Sequence, residues 1–277
     1  MPHVCPARSP AGAHETLLPF APTDNECWYL RLTAAWAERW TAGEEAGPED
    51  AYTERDVSCA RELLQLGPAI RLLETGCGWG RCTGALVRLG CTVTAFDLSP
   101  DMVALSRHHL AHGGLSATVR IATVRDIPTD GAPYDAIVGF RDDSPLSYET
   151  EALNLHTLRG LRSVLRPGGR LLFGTGDYPH DHMPLDMRSV RSSPVGDIVE
   201  HVTYAPATRW SVNRTWWPGN DAAPLPYVRR RKHYTPERLA VLLDQAGLRL
   251  LSCQSDFVTG LPYEAQPEGL VVLAERP

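Results

Sequence analysis

Three glycines spaced by two, Gly76, Gly78 and Gly80, close the stretch Glu74-Thr75-Gly76-Cys77-Gly78-Trp79-Gly80, which follows a short apolar run. With no Cβ, glycine admits turns that other residues avoid and lets a ligand come close to the backbone. A helical pattern starts immediately afterwards. The N-terminus of such a helix offers free N–H groups and a partial positive charge, a seat for a ligand carboxylate. Asp97 ends the next apolar run, Thr92–Asp97, and an acid in that place can accept hydrogen bonds from both hydroxyls of a ribose. Loop and acid together point to a ligand with a nucleoside. The nicotinamide fingerprint G-x-G-x-x-G does not fit: counted from Gly76 its last glycine falls on Arg81, and counted from Gly78 it falls on Thr83. A second group with chemical capacity is Tyr178, His180, Asp181 and His182, where two imidazoles flank an acid that can set a tautomer.

The elements that must hold these residues are read from periodicity. From about Arg71 the chain alternates short apolar runs with helical patterns, which predicts a mostly parallel sheet covered by helices on both faces. Strands are expected at 70–74, 92–97, 117–122, 134–140 and 170–174. Helices are expected at 80–89, from Ser99 (a cap followed by Pro100) to His112, and at 149–165, where Pro167-Gly168-Gly169 stops the pattern. The alternation then ceases. Segments near 197–205, 208–217 and 225–234 carry enough Val, Thr, Tyr and Trp to predict short antiparallel strands. A capped helix at Thr235-Pro236-Glu237 and strands at 248–254 and 269–275 complete the core, and residues 26–41 and 51–66 read as helices preceding it.

Composition narrows the classes. The chain has 277 residues, 43% hydrophobic and 22% charged, ordinary for a globular protein. A formal net charge of -6 provides no general basic field for nucleic acid; Arg229-Arg230-Arg231-Lys232 is a local exception and reads as a solvated strand face. No apolar run approaches the roughly 18 residues that span a bilayer, and no signal core opens the chain. Seven cysteines scattered through helical and strand patterns suggest reduced thiols and a cytoplasmic location.

The segment LLETGCGWG resembles motif I of class I methyltransferases dependent on S-adenosylmethionine (SAM), and the compact glycine spacing with its preceding acid agrees. VTAFDLSPDMVALSRHH is similar to the ribose-binding strand and helix of that family, VRDIP to the end of its third strand, LRSVLRPGGRLLF to its helix, turn and fifth strand, and HYTPERLAVLLDQAGLRLLS to its C-terminal helix and strand. The resemblance implies an α/β, Rossmann-like sheet with helices on both faces, an N-terminal helical cap and an antiparallel β insert after strand five. It divides the chain into an N-terminal arm and cap (1–66), a SAM-binding core (67–175), an insert or substrate lid (176–232) and a C-terminal part of the core (233–277). It also implies that Gly76, Cys77, Gly78 and Gly80 approach the methionine end of SAM, which Glu74 would hold. Asp97 with Leu98 would bind the ribose, Asp126 and Ile127 would frame the adenine, and Phe140 and Arg141 would line the junction with the acceptor. The segment Gly139–Pro145 lacks the N/D-P-P-Y/F pattern of amide-nitrogen methylation.

The expected activity is therefore methyl transfer to the oxygen or nitrogen of a small molecule, a reaction of secondary metabolism, with no nucleic-acid or membrane partner. A non-methylating SAM reaction such as cyclisation and a non-catalytic SAM-binding subunit are the alternatives. Tyr178, His180 and His182 are the candidates for a general base. Tyr29, Trp36 and Trp40 on the first helix, Trp216 beside Trp210 and Trp217, and Arg209 with Arg214 are candidates for the acceptor wall. Asp142, Asp143, His180 and His182 show no closed ligand spacing, so no metal is expected. The edges of the insert would pair across a homodimer.

Overall fold

The computed structural model describes residues 21–41, 50–129, 131–140, 144–175, 185–193, 196–216, 226–257 and 270–277. Two helices, α1 (Asp24–Thr41) and α2 (Asp50–Leu64), precede the sheet. The chain then runs through β1 (Arg71–Thr75), α3 (Arg81–Arg88), β2 (Thr92–Asp97), α4 (Pro100–His112), β3 (Thr118–Ile121), β4 (Tyr134–Gly139), a 3-10 turn (Ser144–Leu146), α5 (Glu151–Val164) and β5 (Leu165–Thr175). Four antiparallel strands follow: β6 (Asp186–Ser193), β7 (Gly196–Ala205), β8 (Trp210–Trp216) and β9 (Tyr227–Lys232). The chain returns through α6 (Pro236–Gln245), β10 (Arg249–Gln254) and β11 (Leu270–Glu275).

The main sheet has seven strands in the order β10-β11-β5-β4-β1-β2-β3. The pairs β1/β2, β1/β4, β2/β3 and β4/β5 are parallel, while β11 lies antiparallel to both neighbours. Alternation along the strands explains why both faces are covered. Leu72, Ala95, Ala136, Val138 and Leu172 pack under α2, α3 and α4 with Val57, Leu86 and Val103. Their neighbours Leu73, Phe96, Ile137, Leu171 and Phe173 point the other way, onto α5 and α6 with Leu158, Leu161, Leu239 and Leu242. Caps mark the helix starts as the sequence predicts: Ser99 accepts from the Met102 N–H, and Thr235 from the Arg238 N–H. Among the described residues no helix is long and apolar enough to cross a membrane.

Two elements differ from the expectation. Pro167-Gly168-Gly169 ends α5 but does not delay the strand. Leu165 already pairs with Tyr134, and a register shift before Ala136↔Arg170 absorbs the turn. Gly168, at φ 70, supplies the left-handed residue that the excursion requires. Among the described residues the insert has four strands rather than three. β6 (DMRSVRSS) pairs along its whole length with β7, yet its few apolar side chains, Met187 and Val190, are exposed. Backbone pairing holds it, so no alternation marks it in the sequence.

Candidate functional site

A cavity of about 360 Å³ opens at the carboxyl edge of the main sheet, where ligands of open α/β sheets bind. Its floor is built from strand ends: Gly76 and Gly78 after β1, Phe96, Asp97 and Leu98 at β2, Ala122, Thr123 and Val124 after β3, and Phe140 after β4. Its roof comes from Asn25, Glu26, Trp28, Tyr29 and Leu32 of α1, from Ser147 and Tyr148 after the 3-10 turn, and from Arg229 of β9.

The floor is set by backbone conformation. Gly76 and Gly78 lie at φ 57 and φ 54, left-handed values that strain other residues. The loop is stitched to β2, with the Cys77 N–H donating to Phe96 O at 3.1 Å and the Gly78 N–H to Asp97 Oδ2 at 2.9 Å. Asp97 is fully buried and also accepts from the Ser99 N–H at 2.8 Å. The Tyr29 hydroxyl lies 3.2 and 3.1 Å from its two oxygens. One hydroxyl proton serves one oxygen at a time. A Cβ on Gly78 would meet nothing within 4 Å, whereas one on Gly80 would stand 2.5 Å from Ser106 Oγ of α4. Gly78 thus keeps the loop open, and Gly80 lets α3 approach α4.

The roof is set by polar contacts between distant segments. Glu26 is buried. Its Oε1 accepts from Thr123 Oγ1 at 2.7 Å, Tyr148 Oη at 3.0 Å and Arg125 Nε at 3.0 Å. Its Oε2 accepts from Arg125 Nη2 at 2.6 Å and from the Thr23 N–H at 2.8 Å. Burial raises the carboxyl pKa, but these donors and the Arg125 charge outweigh it and hold the group below its ordinary value, ionised. Burial, with the Glu26 charge added, pushes the Tyr148 phenol up. Asn25 Nδ2 donates to the carbonyls of Ser147 and Arg230, and its Oδ1 accepts from the Arg230 N–H at 2.7 Å. Arg229 lies over the Trp28 ring at 4.8 Å and donates to Ser147 Oγ at 3.2 Å. Trp28 Nε1 donates to Thr215 Oγ1 of β8 at 2.9 Å. In this way α1 fastens the small sheet to the ends of β3 and β4.

The residues singled out from sequence fall into several places. Gly76, Gly78, Asp97, Leu98, Phe140 and Tyr29 meet in the cavity. Glu74 is buried behind the loop and accepts from Thr83 Oγ1 at 2.6 Å, and Cys77 is buried beside it. Asp126 is exposed and Ile127 half-buried, in the turn closed by the Asp126 N–H to Thr123 O bond at 2.9 Å; the cavity wall after β3 comes from Ala122, Thr123 and Val124 instead. Arg209 sits in the β7–β8 turn, donating to His233 O at 3.1 Å, and Trp216 ends β8; neither lines the cavity. Trp36 and Trp40 lie on α1, but their side chains, with Arg141, Tyr178, His180, His182 and Trp217, are outside the described residues. Sequence reasoning missed Asn25, Glu26, Trp28, Thr123, Ser147, Tyr148 and Arg229. Their partners are 97 residues away for Glu26–Thr123 and 205 for Asn25–Arg230, and the basic run at 229–232 was the single local signal.

With this geometry in view, the similarities are informative. Residues 72–169 match the family model of a methyltransferase domain. A ubiquinone biosynthesis O-methyltransferase of Xanthomonas campestris pv. campestris is 31% identical over 148 residues, which cover 51% of this chain and 58% of that protein. The chain therefore spans little more than half the length of this curated relative. The CcbJ methyltransferase from Streptomyces caelestis superposes with a TM-score of 0.67 at 17% identity over 87% of this chain and 95% of its own. SAM-bound CalS10 from Micromonospora echinaspora, an amino pentose methyltransferase involved in calicheamicin biosynthesis, gives 0.58 at 20% identity over 87% and 96%. The Rossmann-like fold is that of class I methyltransferases.

Proposed function

We propose that this chain binds SAM across the floor of the cavity and transfers its methyl group to an oxygen or nitrogen of a small molecule held under the roof. The observation that carries the reading is the single cavity joining Gly76, Gly78 and Asp97 to Trp28, Tyr148 and Arg229. The methyltransferase-domain match over 72–169 supports it, as do the small-molecule acceptors of the proteins it resembles. The floor suits the cofactor: an acid at the end of β2 that lines the cavity, and an open glycine loop at the start of α3. Bound SAM supplies an electrophilic methyl group on a sulfonium, already a good leaving group.

What remains for the chain is positioning. Asp97 orients the ribose, Gly76 and Gly78 admit the amino-acid end, and Phe140 walls the junction. Alignment alone is worth roughly 7–11 kcal/mol in such a displacement. Glu26 is engaged by five donors and serves structure rather than proton transfer. Tyr178, His180 and His182 keep the base role within this proposal, for an acceptor that must lose a proton. The location proposed is cytoplasmic, with reduced cysteines. The homodimer, paired through the exposed β6 edge, is part of the same reading and is checked by sedimentation.

The test is incubation with labelled SAM and a panel of phenols, hydroxy acids and amino sugars. Formation of S-adenosylhomocysteine (SAH) with a product heavier by one methylene is the expected result. A product formed without that gain would mark a non-methylating reaction, and tight binding without turnover a non-catalytic subunit.

A further inference from the structure

The basic run 229–232 carries a consequence for the acceptor, which rests on the SAM reading above. The run is not a uniform solvated face, because β9 alternates. Tyr227 packs with Trp28 against Leu32 and Ile198. Arg229, two residues on and therefore on the same face, is half-buried and lines the cavity, whereas Arg230 is exposed.

Three contacts set the place of Arg229. Its guanidinium carbon lies over the Trp28 ring at 4.8 Å from the centroid. Its Nη2 donates to Ser147 Oγ at 3.2 Å. The next residue is fastened to α1, with the Arg230 N–H donating to Asn25 Oδ1 at 2.7 Å. A guanidinium has five N–H donors in a flat fork that matches a carboxylate, and the bond to Ser147 uses one of them. Among the described residues that line the cavity, Arg229 is the only cationic one. Trp28, Leu32 and Phe140 line the same space with apolar surface, and beside such walls a charge acts more strongly than in water. Arg125 is paired with Glu26 at 2.6 Å.

We propose that Arg229 binds a carboxylate of the acceptor, so that the acceptor class is a small carboxylic acid carrying the hydroxyl or amino group to be methylated. Trp28 and Ser147 are positioning residues that hold the guanidinium. One guanidinium balances the single charge of a carboxylate, whereas a phosphate dianion would need a second cation. An acceptor with an ammonium in place of the carboxylate would meet a like charge.

The test uses the full chain, SAM, and matched acceptors on phenolic, aliphatic hydroxy and amino scaffolds. Each scaffold is supplied as the carboxylic acid, its primary amide and its aminomethyl analogue, and SAH formation is the readout. On the best scaffold the acid should exceed its amide by about tenfold in kcat/KM, the size of a hydrogen bond to a charged group. The difference should lie in KM, and the aminomethyl analogue should be slowest. Arg229→Gln should bring acid and amide to within about threefold of each other, with the KM for SAM unchanged. Should that variant not fold, Arg229→Lys, which keeps the charge without the fork, should lower the preference for the acid by a few-fold. Wild type that accepts amides or aminomethyl analogues as well as acids would overturn the proposal. So would binding of SAH with no reaction of any acid in the panel. A variant that slows acid and amide alike would overturn it too, because that is the mark of a purely structural role. Failure of folded wild type to bind SAH in calorimetry would instead refute the SAM reading itself.

Discussion

Floor and roof of the cavity are built in opposite ways. The floor is local: Gly76, Gly78 and Asp97 are held by strand ends and by backbone N–H groups of Cys77, Gly78 and Ser99. The roof is assembled from distant segments by side chains, Asn25 to Ser147 and Arg230, Glu26 to Thr123, Arg125 and Tyr148, and Trp28 to Thr215 and Arg229. A floor so made is preorganised by the sheet. A roof so made depends on each polar partner and can loosen without unfolding the core. The contrast predicts that, under the proposed function, cofactor affinity and acceptor specificity are separable in this chain by mutation.

The sharpest way to break the contrast is Asp97→Asn. It should weaken retention of labelled SAM in equilibrium dialysis by about a hundredfold, on the scale of hydrogen bonds to a charged group, while the roof contacts persist. Should affinity survive, the floor is not the cofactor site. Next comes Gly80→Ala, whose Cβ would meet Ser106 Oγ at 2.5 Å and whose backbone lies at φ 89. Strain and overpacking should lower stability by about 1–3 kcal/mol. The denaturation midpoint should fall, with affinity for SAH little changed in the folded fraction.

Glu26→Gln tests the roof. Losing the ion pair with Arg125, a partly exposed partner, should cost about 1–3 kcal/mol. The sign of its pH dependence follows from the lowered pKa of Glu26. This contribution is complete above the ordinary carboxylate value of about 4.3 and is lost as pH falls through the lower folded value. Wild type should therefore lose more melting temperature than the variant between neutral and acid pH; equal losses would show that Glu26 does not carry the roof. The smallest effect belongs to Arg229→Gln. Loss of the contact with the Trp28 ring should cost about 0.5–1 kcal/mol and should raise the KM for the acceptor while leaving that for SAM unchanged. A change confined to SAM would invert the division of labour.

How much of this was legible in the sequence follows the same line. Short apolar runs, helical patterns and caps located the strands and helices of the main sheet, including β2 at Thr92–Asp97 and α4 at Pro100–His112. Glycine spacing and a strand-end acid identified the floor, because there the physical requirement is local: a left-handed φ, a free N–H, a carboxylate. β6 escaped because its side chains face solvent and only backbone pairing defines it. The wall after β3 fell on Thr123 and Val124 rather than on Asp126, since a short turn decides which residue points inward. Asn25 and Glu26 stand at the start of a helix and match no motif. Their roles arise from partners far along the chain: Thr123, Arg125 and Tyr148 for Glu26, and Ser147 and Arg230 for Asn25.

The most direct measurement is a calorimetric titration of the well-folded full chain with SAH. One site per chain, saturating in the micromolar range and lost in Asp97→Asn, is the predicted result. A flat titration on folded protein, or a heat that Asp97→Asn leaves intact, would contradict it.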